Sequence, residues 1–377
     1  METKIVFNKP YLTGKEIDYI AEAHERGLLA GDGYFTHLCS SWLEKNTGCK
    51  KALLTHSCTA ALEMAALLVD IQPGDEVIMS SYTFVSTANA FVLRGGVPVF
   101  VDIRADTLNI DENKIEAAIT PKTKAIVPMH YGGVGCDMGA IMNIAKKYQL
   151  LVIEDAAQSL MASYKNRSLG TIGDLGCFSF HETKNIISGE GGALLINNPE
   201  LVERAEIIRE KGTNRSKFLR GQIDKYSWVD IGSSYLPGEI VAAFLWAQLQ
   251  EADFITQGRL AVWDKYHSAL ASLENKGKLR RPVIPVDCVS NGHLYYLLLR
   301  DADDRNSFLE GMQALGIDCV FHYMPLHSSL SGRKYGRISD EVGLTDDLHN
   351  RLVRLPMWLG VDVNKVVESI YKLYPIR

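Results

Sequence analysis

The sequence predicts an α/β protein built on a mostly parallel sheet covered by helices. Two observations carry that prediction. Between residues 52 and 153, short apolar runs alternate with helical patterns of eight or more residues. Those short runs are apolar at consecutive positions, as strands buried on both faces are. The length of 377 residues allows about two domains and a large core.

The elements follow in order. Residues 14–26 and 35–45 hold amphipathic helical patterns, separated by Ala30-Gly-Asp-Gly33. A strand at 52–54 precedes an apolar helix at 59–69. A strand at 76–79, a helix at 84–93 and a strand at 98–101 come next. Then follow a helix at 111–119, a strand at 125–128, a helix at 138–148 and a strand at 151–153. Cys177 to Phe180 reads as a buried strand and Ala193 to Ile196 as another. After Pro199 a helix runs to about 210, and a polar loop at 212–227 carries Arg215 and Arg220. Residues 239–273 form one long helical pattern, apolar on one face. Beyond Pro282, strands at 293–299 and 318–321 flank a helix at 305–315. The expected division is a large domain over 1–240, a linking helix over 241–281 and a small C-terminal domain over 282–377.

Composition narrows the function classes. A hydrophobic content of 46%, a charged content of 23% and a formal charge of -5 are ordinary for a soluble globular protein. They give no reason to expect a nucleic-acid partner. No apolar stretch approaches the length of a membrane span, and the N-terminal segment lacks a signal core. Seven scattered cysteines with no Cys-x-x-Cys pair argue for reduced thiols and a cytoplasmic protein. The histidines lack metal-ligand spacing, so no metal is expected.

The chemistry centres on Cys177-Phe-Ser-Phe-His-Glu-Thr-Lys184-Asn185, with Gly189-Glu-Gly-Gly192 directly behind it. A strand ends in a polar turn that presents one lysine, held where little charge surrounds it. Such a lysine has a lowered pKa and a nucleophilic amine. Upstream, the strand at 151–153 runs into Glu154-Asp155-Ala-Ala-Gln158. A strand-end acid followed by such a lysine suits pyridoxal phosphate (PLP). The lysine holds the aldehyde as a Schiff base, and the carboxylate keeps the pyridine nitrogen protonated. Asp155 has a competing reading as a helix N-cap. Gln158 lies on the same helical face and would donate to the cofactor's ring oxygen. Phosphate needs amides at a helix N-terminus together with hydroxyls, and Ser57-Cys58-Thr59 meets that description. Phe84 or Tyr82 would stack on the ring.

These motifs resemble the sugar aminotransferases of the fold-type-I PLP class (the DegT/DnrJ/EryC1/StrS type), and most closely those that aminate TDP-4-keto-6-deoxyglucose. The resemblance rests on Asp155 to Gln158, Ser179 to Gly192 and Lys211-Gly-Thr-Asn-Arg-Ser216. Asp230-Ile-Gly-Ser-Ser-Tyr235 and Phe321-His-Tyr-Met-Pro-Leu-His327 extend it over most of the chain. It implies a large domain with a seven-stranded, mostly parallel sheet and a small C-terminal α/β domain. It implies PLP as cofactor, Phe84 as the stacking aromatic and Ser179 as a second phosphate ligand. The chain departs from the family's usual glycine at Cys58. Ser234 matches an Asn that reaches the neighbouring subunit's cofactor, which implies a homodimer or a higher homo-oligomer with shared sites. Leu236 stands where the family has an Arg for the donor carboxylate, so Arg215 or Arg220 is the expected substitute.

His181, His322, Tyr323 and His327 are candidate substrate contacts. The implied reaction moves an amino group from glutamate to a TDP-linked 4-keto-6-deoxyhexose, as in the biosynthesis of lipopolysaccharide or another surface polysaccharide. A 3-keto-sugar aminotransferase would share the catalytic residues. A PLP-dependent lyase or desulfurase would need a catalytic cysteine on a mobile loop, and Cys288 and Cys319 stand in another context. A non-catalytic sensor on this fold would be expected to lack Lys184.

Overall fold

A computed structural model describes residues 4–375. Residues 1–3 of the N-terminal segment and residues 376–377 of the expected small domain lie outside that range. Helices α1 (Glu16–Arg26) and α2 (Tyr34–Thr47) each stop at a left-handed glycine, Gly27 and Gly48, where a side chain would be strained. The carboxylate of Glu239 holds the start of α2, accepting from the amides of Gly33, Phe35 and Thr36 at 3.1, 2.7 and 3.1 Å.

The alternating stretch forms as expected. It runs β1 (Lys51–Thr55), α3 (Cys58–Leu68), β2 (Glu76–Ser80), α4 (Val85–Val92), β3 (Val97–Val101) and α5 (Glu112–Ala118). Then come β4 (Thr123–Val127), α6 (Met138–Tyr148) and β5 (Leu151–Asp155). A small hairpin, β6 (Ser163–Tyr164) and β7 (Arg167–Ser168), leads to β8 (Leu175–Ser179) and β9 (Gly192–Ile196). The strand order is β1-β9-β8-β5-β4-β2-β3-β12, where β12 is Arg337–Ile338. Only β9 runs against its neighbours; the remaining pairings are parallel. Every residue of β2 and β9 is buried, as a sheet covered on both faces requires.

Three expectations change. The sheet has eight strands rather than seven, because β12 arrives from the C-terminal part and pairs with β3. Arg337 secures it, donating Nε and Nη2 to Glu76 at 2.9 and 2.8 Å. The long helix is three: α9 (Glu239–Gln250), α10 (Ala252–Ala269) and α11 (Ala271–Asn275), reached after α7 (Val202–Arg209) and α8 (Arg215–Leu219). The apolar residues of α9 bury against α1 and α2, whereas Trp263 and Tyr266 of α10 belong to a separate C-terminal core. A straight helix could not aim one apolar face at both. The expected strand at 318–321 reduces to a single bridge between Val320 and Arg354.

The C-terminal core packs around the antiparallel pair β11 (Tyr295–Leu298) and β13 (Leu352–Leu355). Helices α12 (Ala302–Ala314) and α15 (Val363–Leu373) cover it. Among the described residues no helix is long and apolar enough to cross a membrane.

Candidate active site

The carboxyl ends of β1, β2, β5 and β8 converge on one cavity of about 590 Å³, the usual place for a ligand in an open parallel sheet. Strand alternation sorts the two acids at the end of β5. Glu154 is fully buried and accepts from the amides of Gly170, Ile172 and Gly173 at 2.8, 2.6 and 2.6 Å. It also meets His130 Nε2 at 2.8 Å. Those bonds occupy its carboxylate and make it a structural anchor. Asp155 instead lines the cavity. Its Oδ2 accepts from the Thr87 hydroxyl at 2.6 Å and its Oδ1 from the Ala157 amide at 3.2 Å. The two bonds fix the direction in which the carboxylate faces the cavity.

Lys184 follows β8 in a turn closed by its own amide, which donates to the His181 carbonyl at 2.8 Å. Burial holds its amine below the ordinary lysine value, and the nearby charge of Arg354 pushes the same way while Asp155 opposes. A larger share of neutral amine is the result, and neutral amine is the nucleophile.

The phosphate-type corner is built by close approach. Ser57 caps α3, its side chain accepting from the Ala60 amide at 3.0 Å. A Cβ added to Gly192 would fall 2.4 Å from the Ser57 carbonyl carbon and 2.5 Å from the Cys58 nitrogen. Glycine is therefore what lets β9 begin against the first turn of α3. Thr59 Oγ1 and Ser86 Oγ share a hydrogen bond of 2.8 Å, and Ser179 completes this end of the wall. The Cys58 thiol is pushed well above its ordinary value by burial, so it is a packed side chain and not a nucleophile.

On the opposite side, the Gln158 amide is held between two partners. Its Oε1 accepts from the Gly132 amide at 2.6 Å and its Nε2 donates to the Tyr323 hydroxyl at 2.7 Å. The His322 ring stacks on Tyr323 with centroids 3.8 Å apart, and its Nδ1 meets the Tyr131 hydroxyl at 2.7 Å. Burial pulls His322 well below the ordinary histidine value, so it is neutral. Phe84 lines the cavity and is half exposed, whereas Tyr82 is buried behind it. His181 also lines the cavity, paired through Nδ1 with the Thr183 hydroxyl at 2.9 Å.

Four expected residues lie elsewhere in the chain. Arg215 and Arg220 sit on and just after α8, paired with Glu210 at 3.3 Å and Glu206 at 2.9 Å. His327 turns away from the cavity, binding Ser81 Oγ at 2.7 Å and Asp346 at 3.2 Å. It pins the C-terminal segment to the end of β2. Ser234 is exposed outside the cavity. Several cavity residues were not anticipated from the sequence: Thr87 and Ser86, which bond to Asp155 and Thr59, and the charged or titratable Arg259, His293 and Arg354. Arg259 and His293 carry no motif. The signal for Arg354 was a charge inside an otherwise apolar strand, Leu352–Leu355.

The residues present fit PLP. A capped helix start faces hydroxyls at one end, a carboxylate fixed by two hydrogen bonds stands at β5, and a half-buried amine of lowered basicity closes the site.

A sequence model described as the DegT/DnrJ/EryC1/StrS aminotransferase family matches residues 10–371. The chain is similar to GDP-perosamine synthase of Caulobacter vibrioides, 34% identical with 96% of each chain covered. It is similar to the spore coat polysaccharide biosynthesis protein SpsC of Bacillus subtilis, 33% identical over 97% of this chain and 95% of SpsC. Its fold matches that of Spr1654 from Streptococcus pneumoniae in the PLP form, with a TM-score of 0.90, 25% identity and 98% of each chain covered.

Proposed function

This chain belongs to the DegT/DnrJ/EryC1/StrS aminotransferase family, and we propose that it moves an amino group from glutamate to carbon 4 of TDP-4-keto-6-deoxyglucose, giving a TDP-4-amino-4,6-dideoxyhexose. It is a PLP-dependent sugar aminotransferase. The observation that carries the reading is the meeting of Lys184 and Asp155 in one cavity, from the ends of neighbouring parallel strands.

Ser57, Thr59 and Ser179, with the amides that open α3, would hold the phosphate. Phe84 would lie on the ring, and Lys184 would hold the cofactor through Nζ. Asp155 would keep the ring nitrogen protonated by a charge-assisted hydrogen bond. When bound, the cofactor supplies an electron sink for the carbon that loses or gains the amine. Lys184 Nζ would also hold and move a proton at the donor carbon, a role suited to an amine of lowered basicity. The neutral His322 and the aromatic rings of Tyr323 and Phe84 form a wall suited to a hexose face and its hydroxyls. Binding energy from the remote nucleotide would position a ketone that has few handles of its own.

Incubation with glutamate and separate TDP-4-keto- and TDP-3-keto-6-deoxyhexoses, followed by NMR of the product, is expected to place the new amine at carbon 4. Amination of only the 3-keto sugar would favour the second reading, a 3-aminotransferase. The GDP-linked sugar in the name of the Caulobacter relative makes a GDP-keto-sugar the informative third arm. Turnover with that sugar alone would overturn the choice of nucleotide.

The active form is expected to be at least a dimer with shared sites. Ser234 is exposed and off its own cavity, beside Trp228, Val229 and Ile231, which are 80%, 51% and 45% exposed. An apolar surface of that kind suits a subunit contact. Light scattering at assay concentration checks this, and a fully active monomer would exclude it.

A further inference from the structure

Among the described residues, no carboxylate pairs with Arg354, a cation that lines the cavity. Arg354, on β13, donates Nε and Nη2 to a single backbone carbonyl, that of Phe321, at 3.2 and 3.0 Å. Its guanidinium carbon lies 4.8 Å from the centre of the Phe7 ring. Burial lowers its basicity, and the neighbouring groups that act on its charge are the phenols of Tyr131, Tyr323 and Tyr82. A guanidinium keeps its proton in a protein, and one that lines a cavity half-buried, with only a backbone carbonyl as partner, has donors left for an anion from outside.

The other cavity cations are committed elsewhere. Lys184 is the reacting amine. Arg259 is buried, donating Nε and Nη2 to the carbonyls of Gly292 and His293 at 3.1 and 2.6 Å, which positions the turn before β11. Arg354 lines the same cavity as Lys184 and binds the carbonyl directly before His322 and Tyr323, and Tyr323 is bonded to Gln158. Its charge also bears on Lys184, His293 and His322, so it stands at the reacting end of the cavity. That location discriminates between the anions of the two substrates. The α-carboxylate of an amino acid is one bond from the carbon that loses its amine, so its anchor must stand beside the lysine. The diphosphate of a nucleotide sugar is separated from the keto carbon by the hexose ring and lies farther out.

We propose that Arg354 anchors the α-carboxylate of the amino donor, the role expected from sequence of Arg215 or Arg220. The inference rests on the aminotransferase reading above. The planar guanidinium offers the paired donors that a carboxylate accepts, and the Phe321 carbonyl fixes its plane beforehand.

The test uses full-length protein loaded with PLP and 2-methylglutamate, a donor analogue with no α-hydrogen to lose. Calorimetry is expected to show binding to wild type and about 10- to 100-fold weaker binding to Arg354→Gln, the range for a hydrogen-bonded charge. Arg354→Lys should fall between them, and TDP affinity should stay unchanged in both. Wild type should also bind glutamate in preference to its α-amide, a preference that Arg354→Gln loses. A variant with wild-type affinity for 2-methylglutamate, or one that loses TDP affinity instead, overturns the assignment. Indifference of wild type to the α-amide overturns it without any variant. A wild-type protein that binds TDP but neither glutamate nor its analogue overturns the choice of donor as well, which separates the two failures.

Discussion

Replacing Lys184 with alanine is expected to leave a folded protein that holds PLP without a covalent link and turns over at least about 10⁴-fold more slowly. That figure is the upper end of what one positioned proton carrier contributes, and Lys184 would also be the nucleophile that holds the cofactor. Folding should survive, because desolvation is the largest influence on this amine and removing it relieves that cost. Borohydride treatment and peptide mapping give the independent readout. In wild type the pyridoxyl adduct should map to the peptide containing Lys184, and in the variant no lysine should carry it. An adduct on another lysine in the wild-type protein would remove Lys184 from the mechanism.

The second large effect is expected at Asp155. Asp155→Asn keeps the shape and the hydroxyl contact from Thr87 but removes the charge. Turnover should fall about 10²-fold or more, the scale of losing a preorganised electrostatic contact, while cofactor affinity changes far less. The neighbouring acid cannot take over. Glu154 points to the other face of β5, where three amides and His130 already occupy its oxygens. Wild-type turnover in Asp155→Asn would mean that a different acid faces the ring nitrogen.

Much of this arrangement was legible in the sequence, for physical reasons that can be named. The strands and helices from β1 to β5 were visible because each is long enough to show its period and is bounded by turn residues. Lys184, Asp155 and the α3 start were visible because each sits at a junction where one local pattern gives way to another. Arg354 and His293 were not, because only pairing of β11 with β13 brings them to the cavity, and no local pattern records that pairing. His327 misled for the opposite reason. It belongs to a dense cluster of ring residues at 321–327, yet the backbone turns at Leu326–Ser328 and sends it to Ser81 instead. The two-residue β12 is too short to show any period.

That short strand bears on how the chain is made. Strand β3, Val97–Val101, is apolar and emerges early in synthesis, whereas the segment that covers its outer edge is Arg337–Ile338, near the end of the chain. An uncovered edge of this kind is a template for another chain. Pro98 lies on it and has no N–H to donate, which blunts the template during the interval when it is bare. Loss of the chain from Arg337 onward would therefore do more than thin the C-terminal core. A ribosome stalled before Arg337 holds a nascent large sheet with its stickiest margin still unsealed.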